Sequence, residues 1–280
     1  MNAILFPGQG AQKVGMGKEL FELFPSFVAE ARDVLQCKID EICLYDENNQ
    51  LSIPEYTQPA IFLVEALAYK KYVMDFGNPN MCAGHSLGEY AALFASGALS
   101  FSDGLRLTQK RGEIMGKISG GKMAAVVGVP EEVIRERLVE ARLDDKLTLA
   151  NFNTQKQTVL SGLENDVLSA EHLFDDIKRS HFVVLEVSGA FHSKYMIPAA
   201  DEFAIELSKV CFKEIAFPVI SNVDARPYNN NLVSTLKKHM TSPVLWKQTL
   251  NYMINSGMEL ISMEPHGPMP GMIRTTLKEQ

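Results

Sequence analysis

The 280-residue chain has little that would carry it into a membrane or onto a nucleic acid. No uninterrupted apolar stretch approaches the roughly 20 residues a spanning helix needs, and the opening Met1-Asn-Ala-Ile-Leu-Phe-Pro-Gly8 lacks the basic flank and long apolar run of a secretory leader. A cytoplasmic location is the expectation. Basic residues are outnumbered, 27 against 34 acidic ones, and the net charge of −7 offers no global field to nucleic acid or an anionic membrane surface. An anionic substrate would have to be held by local charges. Cysteine is scarce as well: Cys37, Cys43, Cys82 and Cys211 show neither the spacing of a disulfide framework nor that of a zinc site, so four reduced thiols are expected. Repeats and low-complexity tracts are also missing.

What the chain does have is apolar residues, 46% of the total, enough to bury one large domain or a large domain carrying a smaller inserted one. Short apolar runs alternate with amphipathic segments, which predicts an α/β protein. Ala3-Ile-Leu-Phe6 reads as a buried strand that stops at Pro7-Gly8. Residues 19–35 and 59–75 carry helical spacing, the second opening on Pro59 near its first turn. From Lys122 onward the pattern changes to strand 123–127, helix 130–141, strands 147–151 and 158–161, helix 165–179 and strand 182–187. That β-α-β-β-α-β order is ferredoxin-like. The expected organisation is a large α/β-hydrolase-like catalytic part, 1–121 with 188–280, and an inserted ferredoxin-like part, 122–187, with a site between the two.

Gly84-His85-Ser86-Leu87-Gly88 fits the G-x-S-x-G pattern, in which small residues on both sides permit a sharp strand-to-helix turn that exposes the serine. Five residues of this kind also arise by chance in glycine-bearing loops. Here the flanks favour the elbow, because Met81-Cys-Ala83 is a short apolar run and residues 87–96 are rich in helix formers and end at Gly97. Ser86 is thereby placed at a helix N-terminus, where free N–H groups and the dipole favour developing negative charge.

A second clue is an arginine in the wrong place. The segment from Ser100 opens with a Ser-x-x-Asp capping pattern and continues as a helix, with Arg106, Lys110, Glu113 and Lys117 along its polar face. Arg111 instead falls in the apolar stripe, three and four positions from Leu107, Ile114 and Met115. A buried guanidinium needs an anion, which either a structural salt bridge or a substrate carboxylate would supply. The planar fork suits a carboxylate held by two parallel hydrogen bonds.

The longer string Gly84-His-Ser-Leu-Gly-Glu-Tyr90, together with Phe6-Pro-Gly-Gln-Gly-Ala-Gln12, resembles the malonyl-CoA:acyl-carrier-protein transacylases and the acyltransferases of polyketide synthases, in particular free-standing, trans-acting ones, over nearly the whole chain. The resemblance implies Ser86 as nucleophile and His192, in Gly189-Ala-Phe-His192-Ser193, as its base; read alone, His192 among small and apolar residues would be an ordinary packing histidine. It implies an oxyanion hole from the backbone N–H groups of Gln9 and Leu87, and Arg111 as holder of the malonyl carboxylate. Gln58 and Asn153 match positions near the pocket, and Leu87 and Phe191 match the malonyl-selecting pattern. A backbone carbonyl is implied to orient the base; His239 stands where the family has glutamine, and any residue can supply a carbonyl. Glu264-Pro-His-Gly-Pro-Met-Pro-Gly271 departs from the family's acidic-x-Gly-Pro-Gly loop.

The function so implied is malonyl transfer from coenzyme A to a carrier protein through a malonyl-serine ester, without a metal or tightly bound cofactor. Malonyl-CoA and an acyl carrier protein are the expected partners, and Lys237, Lys238 and Lys247 the candidate contact for an acidic carrier. The Ala-Phe-His pattern on a chain ending at Gln280 leans toward polyketide over fatty-acid synthesis. Two rivals remain: an acyl hydrolase that clears stalled carriers with the same dyad, which would gain little from Arg111, and a noncatalytic carrier-binding module, which would not need Ser86, His192 and both oxyanion loops together.

Overall fold

A computed structural model describes residues 1–229, 231–263 and 267–279. Its strands run in chain order as β1 (Asn2–Phe6), β2 (Met81–Gly84), β3 (Gly121–Val127), β4 (Thr148–Thr154), β5 (Gln157–Leu163), β6 (His181–Val184), β7 (Val219–Ile220) and β8 (Glu259–Ser262). They form two sheets, one parallel with order β7-β2-β1-β8 and one antiparallel with order β4-β5-β3-β6. The second order is that of a ferredoxin-like sheet.

The apolar run 3–6 is continuous because a parallel strand is covered on both faces. Ile4 and Phe6 point into a core shared with the helices Pro54–Phe76, Gly88–Ala95 and Phe101–Gly116, while Ala3 and Leu5 meet Trp246, Leu250, Met269 and Ile273 from the helices Trp246–Asn255 and Pro268–Lys278. The antiparallel sheet buries Ala124, Val126 and Leu160 beneath Ile134, Leu138, Val167 and Phe174, and turns Met123, Ala125 and Val159 toward the larger core. Its strand β4 is tied to the rest by main chain: Val244 N–H donates to Ala150 (2.8 Å) and Phe152 N–H to Val244 (2.9 Å).

Register positions the functional loops. Phe6 is paired with Gly84, so the ends of β1 and β2 lie side by side and their loops, Pro7 to Gln9 and the serine elbow, emerge next to each other at the carboxyl edge of the sheet. This edge is the usual location of ligand sites in open parallel sheets.

Several elements differ from sequence expectation. The segment 19–35 is two helices, Lys18–Leu23 and Pro25–Leu35, because Phe24 precedes a proline and is driven to φ −124°, ψ 57°. The next helix begins at Pro54, with Pro59 inside it, and Pro59 removes one hydrogen bond close to the helix start. The segment 165–179 is a short helix, Glu164–Ser169, followed by the 3-10 turn Glu171–Phe174; Ser169 Oγ donates back to the Asp166 carbonyl, competing with the helical ladder. The last strand stops at Val184, not 187. In the atypical segment, Glu264, Pro265 and His266 lie outside the described residues, whereas Pro268 begins a helix.

Candidate active site

The elbow is as tight as its glycines imply. A Cβ on Gly84 would overlap the Gly88 main chain, and one on Gly88 would overlap the carbonyls of Pro7 and Phe6. Ser86 takes φ 51°, a left-handed conformation unfavourable to a residue with a side chain. The turn is held by Asn222, whose Oδ1 accepts from the Ser86 N–H (2.7 Å) and whose Nδ2 donates to the Gly84 carbonyl (2.6 Å). The helix Gly88–Ala95 then starts directly behind the serine.

His192 reaches the serine from the segment that returns after the antiparallel sheet. Its Nε2 is 2.8 Å from Ser86 Oγ, and its Nδ1 faces the carbonyls of His239 (3.0 Å) and Ser242 (3.2 Å). A carbonyl only accepts, so the ring proton sits on Nδ1 and Nε2 is free to accept from the serine hydroxyl. His192 also has positive φ, 58°, so both members of the pair are held in strained backbone. Burial, then the neighbouring His239 and Arg111, hold the His192 imidazole well below the usual histidine range, which keeps it neutral and ready as an acceptor.

Arg111 lies where the helical spacing put it, buried to 1% exposure beside Leu107, Ile114 and Met115. Ser100 caps its helix by accepting from the Asp103 N–H (3.1 Å). The guanidinium donates to Gln58 Oε1 (2.9 Å) and to Ser86 Oγ (3.2 Å) and lies over the Tyr90 ring, 5.8 Å from its centroid. Among the described residues no carboxylate forms an ion pair with it. Among the described residues Arg111 Nε has no hydrogen-bond partner.

The remaining sequence candidates fall into two groups. Gln58 accepts from Arg111, Leu87 follows Ser86 at the helix start, and His239 presents its carbonyl to His192. Gly8 packs against the His85 carbonyl, so the Gln9 loop touches the elbow, and among the described residues neither the Gln9 nor the Leu87 N–H donates to a protein acceptor. Asn153 is one step removed: its Oδ1 accepts from His85 Nε2 (2.8 Å), linking β4 to the elbow. Phe191 is buried in the larger core immediately before His192. Of the lysines, Lys237 is paired with Asp201 (2.7 Å) and Lys247 is 4.0 Å from Glu131, which leaves Lys238 exposed and without an ion pair among the described residues.

Sequence reasoning missed Asn222 and the carbonyl of Ser242. Asn222 meets Ser86 across 136 positions, and a lone asparagine after a two-residue strand carries no local signal. Glu89 sits inside the motif Gly84–Tyr90 but its neighbours come from distant segments.

A serine with a neutral histidine acceptor, unused N–H groups at a helix start and a buried cation beside the hydroxyl define an enzyme of covalent acyl transfer. Comparison with known proteins agrees: the model of the acyl transferase domain matches residues 4–280, and the chain belongs to that family. It is 40% identical over 283 residues to the polyketide biosynthesis malonyl CoA-acyl carrier protein transacylase PksC of Bacillus subtilis, covering 100% of this chain and 98% of that protein. It is 41% identical to the polyketide biosynthesis protein PksE of the same organism, of which it spans 37%. The crystal structure of malonyl CoA-acyl carrier protein transacylase from Burkholderia pseudomallei superposes with a TM-score of 0.95 at 38% identity, covering 100% of this chain and 99% of that one. Among the described residues no helix is long and apolar enough to cross a membrane.

Proposed function

We propose that this acyltransferase moves a malonyl group from coenzyme A to the phosphopantetheine thiol of an acyl carrier protein, in polyketide synthesis. The observation that carries the substrate is Arg111, a fully buried cation next to the nucleophile with no carboxylate in ion-pair contact among the described residues. A buried unpaired charge is costly, and the distal carboxylate of a malonyl thioester would neutralise it. A hydrolase of neutral acyl chains would leave it unmatched. The names of PksC and of the Burkholderia transacylase support both the malonyl donor and the carrier acceptor, and that of PksC the polyketide setting.

In the cycle, the Ser86 hydroxyl proton passes to His192 Nε2 as Oγ bonds to the thioester carbonyl carbon. The N–H groups of Gln9 and Leu87 receive the oxyanion. Collapse breaks the carbon–sulfur bond, His192 returns the proton to the coenzyme A sulfur, and a malonyl-serine ester remains. The carrier thiol then gives its proton to His192 and attacks the ester, and the proton ends on Ser86 Oγ. Every proton is accounted for by Ser86 and His192, so malonyl-CoA enters as substrate and no cofactor is needed. Within this reading, residues 1–121 and 188–280 carry Ser86, Arg111 and His192, while the inserted 122–187 closes the site through Asn153 and His85. Incubation with malonyl-CoA followed by intact-mass measurement and peptide mapping tests it. A malonyl adduct on Ser86 that is discharged by holo-carrier protein supports the proposal; an unmodified protein, or discharge to water alone, contradicts it.

A further inference from the structure

Close to the reacting pair lies a buried carboxylate that the proposed cycle does not use. Glu89 is the second residue of the helix Gly88–Ala95 and is fully buried, in a first turn whose N–H groups favour an anion. Its Oε1 accepts from the Asn222 N–H (3.0 Å) and from the Tyr228 hydroxyl (2.8 Å), and its Oε2 lies 2.8 Å from His239 Nδ1, a close electrostatic contact outside hydrogen-bond geometry. Two of these neighbours, Asn222 and His239, lead to one half of the pair each. Asn222 grips the Ser86 N–H and the Gly84 carbonyl. His239 presents its carbonyl to His192 Nδ1 and lays its ring against the His192 ring, centroids 5.1 Å apart.

We infer that Glu89 is a positioning residue, a single buried anchor that fixes the nucleophile through Asn222 and the base through His239. The backbone strain makes such an anchor necessary. Ser86 and His192 both sit at positive φ, a conformation that persists only when surrounding bonds over-determine it, and they are supplied by chain segments 106 residues apart. Asn222 and His239 come from two further segments, joined to each other at the Glu89 carboxylate. One oxygen thus bonds Asn222 and the other packs against His239, which sets both holders on the helix that begins at the elbow. Tyr228, packed on the same oxygen, is the third support, and burial together with Glu89 keeps its phenol protonated. Glu89 touches neither substrate nor reacting atoms, so its effect belongs in the rate of the chemical step and not in substrate binding, which falls to Arg111.

This inference rests on the proposed malonyl transfer, and its test separates the two. Wild type, Glu89→Gln, Glu89→Leu and Asn222→Ala are compared for the rate of malonyl-serine formation at saturating malonyl-CoA, for KM and for thermal midpoint. Glutamine keeps an oxygen for Asn222 and Tyr228, so Glu89→Gln should stay within about tenfold of wild type. Glu89→Leu should lose at least about 10²-fold, the scale of a displacement of about 1 Å at a reacting pair, with KM changed less than about threefold. A Glu89→Leu rate within threefold of wild type, or a loss confined to KM, overturns the inference. If Glu89→Leu does not fold, Asn222→Ala carries the test: it cuts one arm only, and a wild-type rate there overturns the anchor. If wild type forms no malonyl adduct, the proposed function fails, and the same variants are compared by labelling of Ser86 with a fluorophosphonate, which reports the pair's reactivity without any acyl substrate; equal labelling of all four then refutes the anchor.

Discussion

Replacing Arg111 with alanine removes two things at once, and the structure says how to separate them. The guanidinium donates to Ser86 Oγ, so its loss disturbs the nucleophile for every substrate alike. It is also buried to 1% exposure with Gln58 as its other polar partner, so a carboxylate entering the site would meet a fork already desolvated and held in place. Breaking one side of such a hydrogen-bonded charge pair costs about 2–5 kcal/mol. At about 1.4 kcal/mol per decade, this amounts to a roughly thirty- to several-thousand-fold loss of kcat/KM for malonyl-CoA beyond any common effect. Acetyl-CoA has no carboxylate and leaves the cation unpaired in the wild-type protein, so alanine removes a penalty for that substrate. The quantity to measure is therefore the ratio of kcat/KM for malonyl-CoA to that for acetyl-CoA, from which the shared disturbance of Ser86 cancels. The ratio should fall by at least about thirtyfold and approach or pass unity. An unchanged ratio, with both rates reduced together, would make Arg111 a structural support of Ser86 and remove the physical basis for a malonyl substrate.

The features legible in the sequence were those written within a few residues. The elbow, the Ser100 cap and the apolar-stripe placement of Arg111 each depend on spacing inside one element, and the structure has all three. The ferredoxin-like strand order was likewise carried by alternating runs from 122 onward, though its second helix proved shorter because Ser169 bonds its own turn. Helix ends moved where a proline had two readings: Pro25 breaks a pattern that periodicity alone would continue, and Pro59 sits inside a helix that Pro54 had already begun. The expectation that His192 is the base came from family resemblance, since no local pattern distinguishes a base from a packed histidine. What stayed hidden was the scaffold behind the pair. Asn222, Tyr228, Ser242 and the partners of Glu89 meet only through the fold, and a buried hydrogen bond between positions more than a hundred residues apart has no periodicity to reveal it.

Three further outcomes follow from the geometry. Ser86→Ala should retain the wild-type thermal midpoint and give no malonyl adduct by intact mass; residual labelling would place the ester elsewhere. Charge reversal at Lys238, the lysine of its group without an ion pair among the described residues, should raise KM for an acidic carrier protein and leave malonyl-CoA kinetics unchanged, and an unaltered KM removes that surface from the contact. The pH dependence of acylation should be set by His192, which must be neutral to accept the serine proton. Its pKa is lowered by burial and by the adjacent His239 and Arg111, so the imidazole becomes charged, and the rate is lost, only as pH falls well below 6.5. Acylation should therefore be as fast at pH 6.5 as at 7.5, with the acid limb inflecting below the ordinary histidine value. His192→Ala should remove that limb along with at least about 10²-fold of the rate. An inflection at or above 6.5 in the wild-type protein would mean that the ring is hydrated during turnover, and that the buried Ser86–His192 contact is not the geometry in which the proton moves.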